Sequence, residues 1–199
     1  MKYPKMEWGT MEAIINKLGG MKGVREFLSG TLVVVKNTTT RAKEKLLELI
    51  TTVRVSGEKK FVAKNNFNTI NEDGVKIFDI YKNFLENFLD KVEENIPDAE
   101  LKSHVLLKDS CDLNIIFELG KNYETRLAYI WSLMKLQPNG EDGVLLTNSY
   151  ANVFYVRDIE GILWGVDVGW YSKGWIVNAG SIGALDDKCL TGRQVFSRN

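Results

Sequence analysis

The sequence predicts an α+β fold, and three features carry that expectation. Residues Ala151 to Ser181 alternate in the manner of β-strands, a turn-rich cluster at Gln137–Gly143 precedes them, and the segments before it repeat apolar residues at helical spacing. Together they describe N-terminal helices with a small hairpin, a central helical layer, and a C-terminal antiparallel β-meander packed on the helices. The 199 residues are read as a single compact unit, 1–199, with a soft boundary near 137–143.

Composition narrows the class. At 44% hydrophobic and 26% charged, the chain can build a core and is not expected to be disordered. Its longest apolar candidate, Leu32-Val-Val-Val, is a strand-length piece, so no membrane partner is expected. The first 20 residues carry charges and glycines where a signal peptide needs an apolar run. Cys111 and Cys189 lie 78 positions apart and read as two free thiols. A cytoplasmic location is expected. With one histidine, His104, and no close ligand pair, no metal site and no cofactor are expected.

Charge is balanced overall but unevenly placed. Residues 1–70 carry 13 Lys/Arg against 6 Asp/Glu, a net of +7; residues 71–120 carry 5 against 12, a net of −7. The asymmetry reads either as an anion-binding N-terminal part or as two portions of one fold that attract each other.

Met11, Ile14, Ile15 and Leu18 predict a first helix stopped at Gly19-Gly20, and Val24, Phe27 and Leu28 a second closed by Gly30. The pair has the outline of a helix-turn-helix, but Thr31-Leu-Val-Val-Val follows as a strand where a polar recognition helix would be needed. A threonine of Asn37-Thr-Thr-Thr can cap a helix from Arg41 to about Ile50. Val53-Arg-Val, Ser56-Gly57 and Lys60-Phe-Val then read as a hairpin. It carries Lys59, Lys60 and Lys64 beside Phe61 and Phe67, a mixture that binds single-stranded nucleic acid by charge and stacking but also occurs on ordinary hairpins.

Between Glu72 and Ile96, apolar residues from Ile77 to Val92 keep helical spacing throughout and predict one long helix stopped by Pro97. Residues 99–107 read as an extended connection or edge strand holding His104. Leu113–Leu119 predict a short helix ended by Gly120, and Glu124–Leu136 another with Leu127, Ile130, Trp131 and Met134 inward.

The tail predicts strands at about 152–157, 162–171 and 175–179, a long loop at 180–192, and a last short strand from Gln194. In the second of these, Ile162, Trp164, Val166, Val168 and Trp170 share one face, the expected cover for the long helix. Leu163, Gly165, Asp167, Gly169 and Tyr171 share the other.

Catalytic motifs are sparse. There is no phosphate-binding loop and no Gly-x-Ser-x-Gly, and Gly19-Gly20-x-x-Gly23 follows a helix rather than a strand. Asp158 and Glu160 suit a turn, and Asp186-Asp187 lack calcium-loop spacing. Asp167, mid-strand between two glycines, is the carboxylate of most interest, because strand glycines mark close approach by another group. The candidate binding residues are Asp167, Tyr171, Trp175 and Arg157, with Tyr171 and Trp175 expected to be reachable beside their turn. The expectation is a binding or interaction protein, with a protein partner, that uses the outer face and turns of the C-terminal sheet. The alternative is nucleic-acid binding through Lys59, Lys60, Lys64 and Phe61. A third reading, an enzyme, would place Asp167 with Arg157, or Cys111 with His104.

Three segments carry a resemblance. Asn16-Lys-Leu-Gly-Gly through Gly23-Val-Arg-Glu-Phe-Leu-Ser-Gly, Leu146-Thr-Asn-Ser-Tyr-Ala-Asn-Val-Phe-Tyr-Val-Arg-Asp, and Gly174-Trp-Ile-Val-Asn-Ala-Gly-Ser with Gln194-Val-Phe-Ser-Arg-Asn resemble an uncharacterised group of small bacterial proteins. The resemblance spans about a third of the chain. It implies a recurring architecture for the N-terminal helices and the β-tail, and brings no functional residue with it.

Overall fold

In a computed structural model, the structure describes residues 8–30, 45–69, 74–183 and 188–199. The chain divides into two compact units, Met1–Glu44 and Lys45–Asn199. In the first, α1 (Trp8–Lys17) and α2 (Gly20–Leu28) are joined through Gly19 and Gly20, both at positive φ. The glycine cluster is therefore the turn of a helical pair. The strand expected at Thr31–Val35 lies outside the described residues.

The second unit runs β1 (Leu47–Val55), β2 (Glu58–Val62), α3 (Ala63–Asn66), β3 (Ile77–Ile80), α4 (Lys82–Phe88), β4 (Val92–Ile96), β5 (Ala99–Leu106), β6 (Ser110–Cys111), α5 (Asp112–Leu119) and α6 (Leu127–Leu136). It continues with β7 (Asn152–Arg157), β8 (Leu163–Tyr171), β9 (Gly174–Ser181), β10 (Lys188–Cys189) and β11 (Gln194–Arg198). Seven strands form one sheet in the order β1-β5-β11-β7-β8-β9-β3, while β10-β6 and β2-β4 are two-stranded ladders. The fold is α+β. The large sheet is mixed rather than purely antiparallel, since β11 runs parallel to β7 and β3 parallel to β9.

Both faces of the sheet carry a core. The first buries Phe154, Val166, Val168, Trp175, Val177 and Phe196 with Phe84 and Phe88 of α4 and Ile130, Trp131 and Met134 of α6. The second is smaller and joins Val153, Tyr155, Val195 and Leu106 to Ile115 of α5 and to Cys189. A bulge in β1 between Leu49 and Thr51 shifts the strand's alternation, so Leu47 serves the second core and Val55 the first.

α6 begins without a side-chain cap of its own. Glu93 of β4 supplies one from a distance: its Oε1 and Oε2 accept the Leu127 and Ala128 N–H groups, each at 3.1 Å. The carboxylate sits at the positive helix end. Burial raises its pKa above the ordinary 4.5, opposed by those two hydrogen bonds. At the other end Gln137 is buried and closes the 137–143 loop, donating from Nε2 to the Glu141 and Leu145 carbonyls and accepting the Leu145 N–H. Gly140 is required there, because a Cβ would lie 2.1 Å from the Trp170 ring.

Several expectations are corrected. The long helix across residues 72–96 is instead β3, α4 and β4. Ile77, Ile80, Phe84 and Phe88 are buried as the pattern demands, but Tyr81, Leu85 and Val92 are exposed. Two short strands gain partners, β3 with β9 and β4 with β2, and those ladders override the helical period. The helix expected at 41–50 is overturned from Leu47 onward, where Leu-Glu-Leu-Ile-Thr-Thr-Val forms β1; residues 41–44 lie outside the described residues. β1 and β2 make no hairpin: β1 pairs with β5 and β2 with β4, so Ser56-Gly57 crosses between sheets. Residues 99–106 form an interior strand, held between β1 and β11. The helices at 112–119 and 127–136 match expectation, with Gly120 at φ 70° ending the first.

Candidate functional site

Among the described residues the second sheet face is only partly covered, and its open part forms a cleft of about 380 Å³. β8 supplies Asp167, Gly169 and Tyr171, and β9 supplies Ile176 and Asn178. The hairpin register sets Asp167 directly opposite Asn178, so their side chains stand side by side with Cβ atoms about 5 Å apart. Gly169 leaves room for an aromatic neighbour: a Cβ there would lie 3.2 Å from the Tyr171 ring. Tyr171 itself is 41% exposed.

The far wall comes from two loops. Asn148, Ser149 and Tyr150 precede β7, with Ser149 held at φ 69°. The Tyr150 ring passes close to Gly192, where a Cβ would lie 3.2 Å from it. Arg193 and Leu190 enter from the connection between β10 and β11. That connection is anchored by Thr191, whose N–H donates to Asp109 Oδ1 at 2.7 Å and whose hydroxyl donates to the Leu106 carbonyl. Tyr81 completes the rim, fixed by its N–H to the Val177 carbonyl at 2.9 Å.

A polar cluster lies within the smaller core behind this cleft. Asp112, buried at the start of α5, accepts the Tyr155 hydroxyl at 2.8 Å and the Cys189 thiol at 3.4 Å. Burial first, and then the Asp112 charge, push the Cys189 thiol up to about 12, while Arg193 opposes the shift. Burial and the Asp112 charge thus favour the protonated thiol at Cys189. In the β6–β10 ladder Cys111 opposes Lys188 and Cys189 opposes Ser110, which aims the two thiols at opposite faces. Both are free.

The structure separates the expected site residues. Asp167 and Tyr171 share the cleft, as their strand face requires. Trp175 does not: it is fully buried in the first core and donates from Nε1 to the Gln137 carbonyl at 3.0 Å. The reason is register. A two-residue turn at Ser172-Lys173 sets Trp175 opposite Trp170, on the core face, and the rings meet edge to face at 5.5 Å. Arg157 stands at the other end of the β7–β8 pair, opposite Leu163, whereas Asp167 opposes Val153. Four strand positions separate them, about 13 Å. Arg157 is an ion-pair partner of Glu124 at 3.0 Å and donates to the Gly161 carbonyl at 2.8 Å. Direct proton transfer between Asp167 and Arg157 is excluded.

The basic hairpin dissolves in the same way. Phe61 is a core residue, packed edge to face on Phe67, and neither ring can stack on a base. Lys60 opposes Glu94 across β2–β4, Lys64 lies 3.7 Å from Asp90, and Arg54 opposes Glu100. Lys59 is exposed. At these positions the basic early residues meet the acidic later ones. Among the described residues no hydrogen bond joins Cys111 to His104, and burial lowers the His104 pKa, favouring the neutral ring. Asp158 is buried in its turn, accepting the Glu160 and Ile162 N–H groups at Oδ1 and the Trp164 indole at Oδ2. Asp186 and Asp187 lie outside the described residues. Among the described residues, no group of three or more His, Cys, Asp or Glu side chains could hold a metal ion, and no helix is long and apolar enough to cross a membrane.

A scan against protein-family models, a search of curated proteins and a search of solved structures all return no match. The chemistry of the cleft is therefore the ground for a functional reading. Asn178 was within reach of sequence reasoning, because counting back from the Ser172-Lys173 turn places it opposite Asp167. Tyr81, Tyr150 and Arg193 were not, since long-range pairing alone brings them to this face.

Proposed function

We propose that this chain is a binding protein whose ligand seat is the cleft at Asp167, Asn178 and Tyr171. The observation that carries this reading is the lining itself. Among the described residues, one carboxylate, one guanidinium, two carboxamides and three tyrosines converge on a concavity of about 380 Å³ over the sheet. That volume is in the range of small-molecule sites, and convergent polar groups at a well-formed pocket are what orient a ligand. The two free cysteines, Cys111 and the buried Cys189, fit a reducing cytoplasmic setting.

The test is ligand-observed NMR with a panel of small polar molecules, followed by Asp167→Asn and Tyr171→Ala. Both variants should keep the native melting profile and lose binding at least tenfold. Wild-type affinity in both well-folded variants would place the ligand elsewhere and overturn the reading.

A further inference from the structure

The ligand class can be read from the balance of groups in the cleft, taking the binding reading above as premise. Among the described residues, the formal charges lining it are one Asp167 and one Arg193, which cancel. A phosphate-bearing ligand is recognised by several cationic or N–H donors, and among the described lining residues Arg193 is the one cation. What remains is rich in groups that both donate and accept. Asn178 offers a carboxamide beside the Asp167 carboxylate, and Asn148 and Ser149 face them from the opposite wall. Side-by-side carboxylate and carboxamide fit a pair of adjacent hydroxyls, one donating to Asp167 while its neighbour accepts from the Asn178 amide.

Three tyrosines frame this polar floor. Tyr81, Tyr150 and Tyr171 are 48%, 47% and 41% exposed, so each presents ring surface and hydroxyl together. Such amphipathic surfaces match a molecule that is itself apolar on one face and hydroxylated at its rim. The cleft also continues. A second, more open depression of about 420 Å³ shares Tyr81 and Asn178 with the first and adds Asp79, Ile80, Lys82 and Asn83. Its walls add a carboxylate, Asp79, and a carboxamide, Asn83, beside the shared Tyr81, with Lys82 as the counter-charge to Asp79.

We infer that the ligand is a neutral carbohydrate of two or more sugar units, laid along both depressions with Asn178 at the junction. A free amino acid would satisfy Asp167 and Arg193 but leave the second depression empty, and a nucleobase would use the rings but not the paired hydroxyl-binding groups.

Saturation-transfer NMR on the full chain tests this, using glucose, N-acetylglucosamine, maltotriose, cellotriose and chitotriose alongside adenosine, uridine and the free amino acids. The expected result is binding of at least one trisaccharide, at least tenfold tighter than its monosaccharide and little changed between low and high salt. Asn178→Ala and Tyr171→Ala should each weaken it tenfold or more. If Tyr171→Ala fails to fold, Asp167→Asn and perturbation of the Asn178 side-chain amide signal decide the same question. Binding of a nucleoside or amino acid with no sugar bound, abolished by the same variants, overturns the carbohydrate inference and leaves the cleft as the site. Sugar binding untouched by all the folded variants overturns both, as does a panel in which nothing binds.

Discussion

Along β8 two chemistries alternate residue by residue. Val166 and Val168 are fully buried in the core that α4 and α6 complete, while Asp167 between them is half-buried and lines a cleft. The same contrast holds for β9, with Trp175, Val177 and Ala179 on the first face and Ile176 and Asn178 on the second. The first face is covered by helices and aromatic rings, including the Phe67–Trp131 and Phe84–Phe88 contacts. Among the described residues the second is covered mainly by α5 and the β6–β10 ladder, and its apolar cluster is small and stops short of Asp167. A sheet face that is incompletely covered carries polar side chains beside its apolar ones. On the proposed reading, one face serves stability and the other serves binding.

That contrast can be broken at chosen residues. The largest effect on folding is expected at the first face. Trp175→Ala removes a fully buried ring and its hydrogen bond to Gln137, and should cost about 3–5 kcal/mol in denaturant unfolding. A cost under about 1 kcal/mol would contradict its placement in the core.

Glu93→Gln comes next. One acceptor of the α6 cap is replaced by an amide that cannot receive an N–H, with an expected loss of about 1–2 kcal/mol near neutral pH. The pH dependence has a definite sign. Because the folded-state pKa of Glu93 is raised above 4.5, the folded protein holds the proton more tightly than the unfolded chain. Between the folded value and 4.5 this group therefore adds stability as pH falls, and below 4.5 its contribution is constant. Unfolding midpoints measured from about pH 7 to 4 should show that contribution in the native protein and lack it in Glu93→Gln.

Tyr155→Phe probes the polar part of the second face. It deletes the hydroxyl that donates to buried Asp112 at 2.8 Å, and about 1–3 kcal/mol should be lost because the carboxylate loses a donor. The smallest stability effect is expected at the cleft rim. Tyr171→Ala should shift stability by about 0.5 kcal/mol and yet cost tenfold or more in ligand affinity. A large stability loss there would mean that the ring serves the fold, erasing the distinction between the faces.

How far these features were legible depends on the range of the interaction behind each. The alternation from Leu163 to Tyr171 and the inward set Leu127, Ile130, Trp131 and Met134 of α6 are local, and they were readable. The burial of Trp175 was also encoded, through the two-residue turn that pairs it with Trp170, although ring size and nearness to a turn suggested an exposed residue. The 77–92 stripe misled because Ile77, Ile80, Phe84 and Phe88 face one core from two different elements, imitating a single helical face. Spacing alone cannot distinguish one helix from a strand followed by a helix when both bury against the same surface.

By itself the sequence determined which side chains share a face, since strand and helix periods are properties of the local backbone. It also set the α+β class, the α5 and α6 helices, and the adjacency of Asp167 with Tyr171. Tertiary structure alone decided which face would be covered and what would meet Asp167 across space. β11 enters between β5 and β7 and brings Arg193 with it, and the parallel pairing of β3 with β9 brings Tyr81. Those encounters depend on pairings between residues far apart in the chain, as Ile77 is from Trp175. No local period records them, because the energy that selects them comes from burying one face of the assembled sheet and leaving part of the other to water.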